Sequence, residues 1–216
     1  MLLPRQKGPI AEWRFEGPPV SHLNWKHLEY TIRILATMNS ILLAENLLSS
    51  RTICLSRWMR AGDIGVAQSE RLAKEPLELQ SDLSLAFAEL LELCRSIFLT
   101  EFAYPTVIEI SGSGHILTQA GPSVVEDLVW MRSSTLDTLM LTVGTQSDAW
   151  LPFSLSGEAQ PELYELNFDR LARALKEIKL KTGFSMEEGV ESPYSVIKGF
   201  YLENVTYEDG SVADVS

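Results

Sequence analysis

The sequence predicts an α+β fold in which N-terminal antiparallel helices pack with a C-terminal, mostly antiparallel sheet and one long helix. Three observations predict it. In the first hundred residues apolar side chains recur every three or four positions, the period of an amphipathic helix. At Tyr104-Pro105 that regime stops, because the residue before a proline is pushed out of the helical region. Beyond it the apolar runs become short, β-branched and punctuated by glycine, with one return to helical spacing. Helices first and strands later is not a βαβ alternation, which argues against a doubly wound nucleotide-binding fold.

Each element has its own warrant. Pro4, Gly8, Gly17, Pro18 and Pro19 mark residues 1–20 as an arm, with an edge strand around Ala11–Phe15 where Trp13 and Phe15 alternate with Arg14. Ser21 is placed to cap a long helix to about Leu48, whose inward positions include Leu28, Ile32, Leu35, Met38 and Leu42. A second helix is read over Ile53–Arg60, resuming over Val66–Ala73 until Pro76 stops it. A third spans Ser81–Phe102, with Phe87, Leu90, Leu91, Cys94 and Phe98 on one stripe. Thr106–Ile110 reads as a short strand closed by a turn at Ser111-Gly112-Ser113-Gly114. Val124–Arg132 fits strand or helix, Leu136–Val143 a central strand, and Ala149–Leu155 an edge strand because of Pro152.

Helical spacing returns over Leu163–Thr182, with Leu166, Leu171, Leu175 and Ile178 inward. Lys176, Lys179 and Lys181 complement its dipole, and Gly183 stands as the C-terminal cap. Phe200–Tyr207 and Val212–Val215 read as a closing hairpin about Asp209-Gly210. No flexible linker interrupts the chain near Tyr104, so 1–216 is read as a single α+β domain, with 1–104 and 105–216 at most subdomains.

The informative composition is the charge. The 216 residues carry 18 Lys plus Arg against 29 Asp plus Glu, a net charge of -11. Cutting after Thr100 leaves 11 basic and 11 acidic residues before the cut and 7 against 18 after it, so the whole excess lies in the second half. A nucleic-acid backbone is held chiefly by Lys and Arg, so no nucleic-acid partner is expected. The most apolar stretch, Ile34–Leu48, is interrupted by Thr37, Asn39, Ser40 and Glu45 and is too short for a membrane span, so no membrane partner is expected either. With no secretory pattern at the N-terminus and only Cys54 and Cys94, a cytoplasmic protein with reduced thiols is expected.

No pattern here specifies a reaction or a cofactor. His22 and His27 stand five apart, on different sides of a helix, and no Cys-x-x-Cys is present, so no metal site is expected. Ser113 and His115 are sequence neighbours without a nucleophile elbow, and a tight turn explains their glycines. Glu126-Asp127, Glu187-Glu188 and Glu208-Asp209 are adjacent carboxylates, whereas glycosidase chemistry needs two facing each other across a cleft. The stretch Thr145–Gln160 differs, because Asp148, Trp150, Phe153 and Glu158 interleave aromatic and acidic groups. Aromatic anchors give affinity, and carboxylates steer a basic partner.

The expectation is therefore a non-catalytic, acidic cytoplasmic binding protein, of the kind an immunity-type inhibitor of a basic toxin would be. Its contact residues would be Asp148, Trp150, Phe153, Glu158, Glu208 and Asp209. Two alternatives stand beside it. One is an enzyme with a dispersed site, built from Asp148, Tyr164 and Arg170 and acting on a small molecule. The other is a subunit of an oligomer whose apolar helices form the interface.

Overall fold

The computed structural model describes residues 8–63, 71–72, 74–80, 86–187 and 192–215. In chain order its elements are β1 (Ala11–Pro19), β2 (His22–Leu23), α1 (Trp25–Ala44), β3 (Ser49–Arg60), β4 (Gly62–Asp63) and β5 (Leu77–Gln80). Then come α2 (Ala86–Glu101), β6 (Ala103–Thr118), β7 (Gly121–Glu126), β8 (Val129–Thr135), β9 (Thr138–Thr145) and α3 (Pro161–Thr182). The chain continues with β10 (Ser185–Met186), β11 (Ser195–Lys198) and β12 (Tyr201–Asn204). The main sheet runs β10-β1-β9-β8-β6-β3-β5, with β7 attached to β6, and its pairs are antiparallel. Two small sheets, β2-β4 and β11-β12, complete the described strands.

The expected block of N-terminal antiparallel helices is not there. One helix, α1, stands in the N-terminal region; strand β1 precedes it and β3 follows it directly. The segment read as a second helix, Ile53–Arg60, lies within β3, where Ile53 and Leu55 are buried and Cys54 and Ser56 face the other side. Its residues satisfy both periods, and pairing along the length of β6 decides for the strand. Residues 66–70 and 73, where that helix is expected to resume, lie outside the described residues, as do residues 81–85 of the third. The expected turn at Ser111–Gly114 is likewise corrected: β6 continues through it to Thr118. A Cβ on Gly114 would lie 2.2 Å from the carbonyl oxygen of Leu47, so this glycine permits a close backbone approach and makes no bend. Ala149–Leu155 forms turns with a single bridge, Phe153 to Ala159, in place of an edge strand.

Strand alternation sorts the main sheet into two faces. Trp13 and Phe15 of β1, Leu141 and Val143 of β9, Met131 of β8, Ile108 and Ile110 of β6, and Ile53 and Leu55 of β3 form one buried cluster with side chains of α1, α2 and α3. The three helices therefore cover one face. The other presents Arg14, Thr142, Arg132 and Glu109, which stand side by side across β1, β9, β8 and β6.

Local chemistry sets the helix ends. Asn24, rather than Ser21, caps α1: its side chain accepts from the His27 amide at 3.0 Å. The last turn of α1 holds no basic residue, so the carbonyl-rich end depends on another element. Arg170 of α3, 7% exposed, donates to the Glu45 carbonyl, to the His115 carbonyl at 2.9 Å and to Asn167 Oδ1 at 2.9 Å. Asn167 in turn exchanges hydrogen bonds with both backbone groups of Leu117. Arg173 grips the Glu45 carboxylate through Nε at 3.1 Å and Nη2 at 2.9 Å. Helix α3 ends where expected, with Lys179 and Lys181 in its last turn and Gly183 at φ 70° as its cap, and starts two residues earlier than Leu163, with Pro161 in its first turn.

A second polar contact joins α1 to the sheet. The buried Tyr104 hydroxyl meets His27 Nδ1, and the buried His27 Nε2 has no hydrogen-bond partner among the described residues. Burial pushes the His27 imidazole below its ordinary 6.5 and the Tyr104 phenol well above its ordinary 10. Both groups are therefore neutral in this contact.

Both contacts make measurable contributions. Replacing Arg170 by Met strands the Glu45 and His115 carbonyls and is expected to cost about 2–4 kcal/mol in urea unfolding. Arg170→Lys recovers only part of that, because an ammonium cannot fork to the separate acceptors. For His27, the unfolded chain takes up the proton first, so its contribution is complete above pH 6.5 and is lost as pH falls through 6.5 toward the lowered native value. Thermal unfolding from pH 7.5 downward should show this as a steeper loss in the parent protein than in His27→Gln, and equal slopes would refute it.

Candidate functional site

The outward face of α3 begins with a spacing of four. Tyr164 and Phe168 stack at 5.0 Å between ring centroids, and Phe168 reaches Tyr201 of β12 at 6.3 Å. This aromatic ladder crosses from helix to hairpin. Its Phe168 is 36% exposed, and Val196 on β11, on the same face of the hairpin as Tyr201, is 40% exposed. Large apolar side chains left this accessible in a cluster are what interfaces use as anchors.

Polar contacts hold the ladder in place. The Tyr201 hydroxyl donates to Asp169 at 3.2 Å and accepts from Lys176 Nζ at 2.8 Å; the same ammonium lies 4.7 Å from the Tyr201 ring centroid. Asp169 also accepts from Arg173 at 2.7 Å, and the two carboxylate contacts of Arg173 push its guanidinium further above its ordinary range. The elements that build the ladder also carry exposed carboxylates: Glu162 and Glu165 on α3 and Glu203 on β12. Acidic residues in the first turns of a helix complement its dipole, so the negative end of this face is also the place the helix stabilises such charges.

The structure joins the two segments singled out from sequence. Asn204 of β12 accepts from the Phe153 amide at 3.0 Å and donates to the Phe153 carbonyl at 2.8 Å, and the Val215 amide donates to the Leu155 carbonyl at 2.8 Å. The loop bearing Phe153 and Glu158 and the tail bearing Glu208 and Asp209 therefore form one surface beside the aromatic ladder. Glu158, Glu208 and Asp209 are exposed and Phe153 is half-buried. Hydrogen bonds from the Ser211 hydroxyl and amide hold the Asp209 carboxyl below its usual range.

Two of the expected contact residues are not on the surface. Asp148 is fully buried and accepts from the Leu155 amide at 3.2 Å, closing the 148–155 turns. Trp150 is 2% exposed, and its indole donates to Thr145 Oγ1 at 2.9 Å. Both belong to the scaffold beneath the loop. Leu166, read as inward, points out, because the buried stripe of α3 runs through Asn167, Leu171, Leu175 and Ile178. The dispersed catalytic set is also dissolved: Asp148 holds a turn, Arg170 holds backbone carbonyls, and Tyr164 is half-buried in the ladder. Among the described residues no group of three or more His, Cys, Asp or Glu could hold a metal ion.

Phe168 and Tyr201 escape the sequence reading. Tyr164 and Phe168 are four apart and one helical position off the buried stripe, a signal that is present in the sequence; Tyr201 shows only through the packing of β12 on α3. No protein-family model, curated protein or solved structure matches this chain.

The difference between scaffold and surface has a measurable consequence. Trp150→Ala empties a buried site and should cost about 3–5 kcal/mol, whereas Phe168→Ala, at an exposed ring, should cost about 1 kcal/mol or less. Urea unfolding of the two variants checks the ordering.

Proposed function

We propose that this protein is a non-catalytic binding protein that captures a basic protein partner through the acidic, aromatic face formed by α3, β11-β12 and the Phe153 loop. The observation that carries this reading is the Tyr164-Phe168-Tyr201 ladder, half-buried at both tyrosines and exposed at Phe168, on elements that also carry the exposed carboxylates Glu162, Glu165 and Glu203. Rigid aromatic rings supply contact area at low entropic cost, and the surrounding carboxylates accelerate encounter with a cationic surface. An immunity-type inhibitor of a toxin nuclease works with this chemistry, since carboxylates can occupy a cleft shaped for phosphates. A cytoplasmic location belongs to the same proposal. It is supported by the free thiols Cys54 and Cys94, as a reducing compartment leaves them. No helix among the described residues is long and apolar enough to cross a membrane.

Affinity capture from low-salt lysate of the source cell, read by mass spectrometry, tests the proposal. The full chain is expected to retain strongly basic proteins. Tyr164→Ala/Phe168→Ala should weaken that retention by about 2 kcal/mol or more, roughly thirtyfold, and Glu162→Lys/Glu165→Lys should abolish it. Moderate salt should weaken it as well. Capture that is indifferent to all four substitutions, or a retained set that is not basic, would refute the assignment.

A further inference from the structure

The sheet face opposite the helices holds a groove that the proposed acidic surface does not use. A cavity of about 430 Å³ runs across β1, β9, β8, β6 and β3, and a second of about 370 Å³ continues it beyond β3. Arg57 and Leu136 line both, so the two form one trough. In a chain of net charge -11 its cationic lining runs against the whole: Arg14, Arg57, Arg71, Lys74 and Arg132, of which Arg14 pairs with Glu12 at 3.4 Å and Lys74 with Glu101 at 2.7 Å, while Glu109 stands beside Arg132.

Arg132, at the centre, is held but not saturated. Its guanidinium carbon lies 4.7 Å from the centroid of the Trp130 ring, and Trp130 lies across Gly144, where a Cβ would come within 2.3 Å of the indole. Glycine at that position therefore gives the ring its seat and the guanidinium its platform. Glu12 and Glu109 flank Arg132 at 3.6 and 3.7 Å, distances that give attraction without a hydrogen bond. Nε of Arg132 is buried with no hydrogen-bond partner among the described residues.

Arg57, at the junction, carries a second sign of function. It adopts φ 53°, a left-handed conformation that a residue with a Cβ occupies at a cost, and the Thr106 hydroxyl pins its carbonyl at 2.7 Å. Arg57 is exposed and makes no ion pair among the described residues. A strained arginine with no ion pair among the described residues, where two halves of a groove meet, is available to an incoming anion.

The geometry points to an acidic, extended segment of a protein partner as the occupant of this trough. Five strands span roughly 19 Å at sheet spacing, the length of about six residues in extended conformation. Guanidinium groups accept carboxylates in forked pairs, while Val107, Leu136 and Met140 offer apolar contacts between them. Nucleic acid fits less well, because Glu12 and Glu109 stand in the floor, where a phosphate backbone charged at every nucleotide meets them and a peptide with spaced carboxylates need not.

Panning a random heptapeptide display library on the full-length chain tests this. Clones rich in Asp and Glu are expected, against the direction in which the overall charge alone would drive selection. The Arg57→Glu/Arg71→Glu variant should retain these clones about tenfold less well. A charge-matched control on the helical layer, Arg33→Glu/Arg95→Glu, should retain them as the parent does. All substituted residues are exposed, and circular dichroism verifies folding before panning. Failure to enrich acidic clones, or equal loss in the control variant, overturns the proposal. So does a single-stranded oligothymidylate that displaces the selected peptide and binds more tightly, which would give the groove to a phosphate backbone. Basic clones lost only on Glu162→Lys/Glu165→Lys would report on the acidic face, so the two proposals fail separately.

Discussion

The architecture depends on one buried guanidinium. Helix α1 ends with its carbonyls pointing at β6 and α3 and with no cation of its own to receive them. Arg170 arrives from a helix that begins more than a hundred residues later and bonds the Glu45 and His115 carbonyls together. The fit is close on both sides. The His115 amide donates to the Asn46 carbonyl at 2.8 Å, and Gly114 gives the Leu47 carbonyl room that any side chain would occupy. Burial works against the Arg170 charge, as does neighbouring Arg173, while the Glu45 carboxylate supports it. Asn167 completes the node by pairing with Leu117, so α3 is fastened to β6 at two successive sites. This junction fixes α3 against β6 and the end of α1, and the aromatic ladder lies on that helix.

How far the sequence discloses this differs from element to element, for physical reasons. Helix α3 is legible nearly to the residue because its signals are local: proline at the start, lysines at the end, glycine just past it. The burial of Trp13 and Phe15 in β1 follows from strict alternation, although the expected edge strand is an inner one between β9 and the two-residue β10. Residues 53–60 mislead because an apolar run of that length satisfies both periods, and only pairing with the distant β6 settles it. Gly112 and Gly114 suggest a turn because φ freedom is the commoner use of glycine; at Gly114 the use is steric, and its cause lies in Leu47, far away in sequence. Arg170 gives no signal at all, since a buried arginine on an otherwise amphipathic helix is indistinguishable in sequence from an exposed one.

The same separation governs the acidic face. Interleaved carboxylates and aromatics in 145–160 look alike whether they point inward or outward. Asp148 and Trp150 turn inward because the 148–155 segment has no sheet partner to satisfy its amides, and a buried carboxylate does so instead. The true surface aromatics sit on a regular helix, where the core claims one stripe and leaves the adjacent positions to solvent. Carboxylate clustering is legible as composition, but its joining with the Phe153 loop depends on the Asn204 side chain spanning both backbone groups of one residue.

One-sided layering also explains how a strongly acidic chain holds a cationic groove. Helices on a single face consume the apolar half of each strand, and the alternate positions are free to carry charge without disturbing the core. Arg14 and Arg132 occupy such positions, beyond the sheet from the carboxylates of α3 and the tail, and the left-handed backbone of Arg57 brings it to the same groove. At physiological salt the field of a surface charge decays over about 8 Å, comparable with the roughly 10 Å that separates packed layers. Each face therefore acts on a ligand through its own charges more than through the net figure. A partner drawn to the helical side by its basic groups meets carboxylates and aromatic rings there, while a segment lying across the open sheet meets guanidinium groups. A net charge of -11 describes neither encounter.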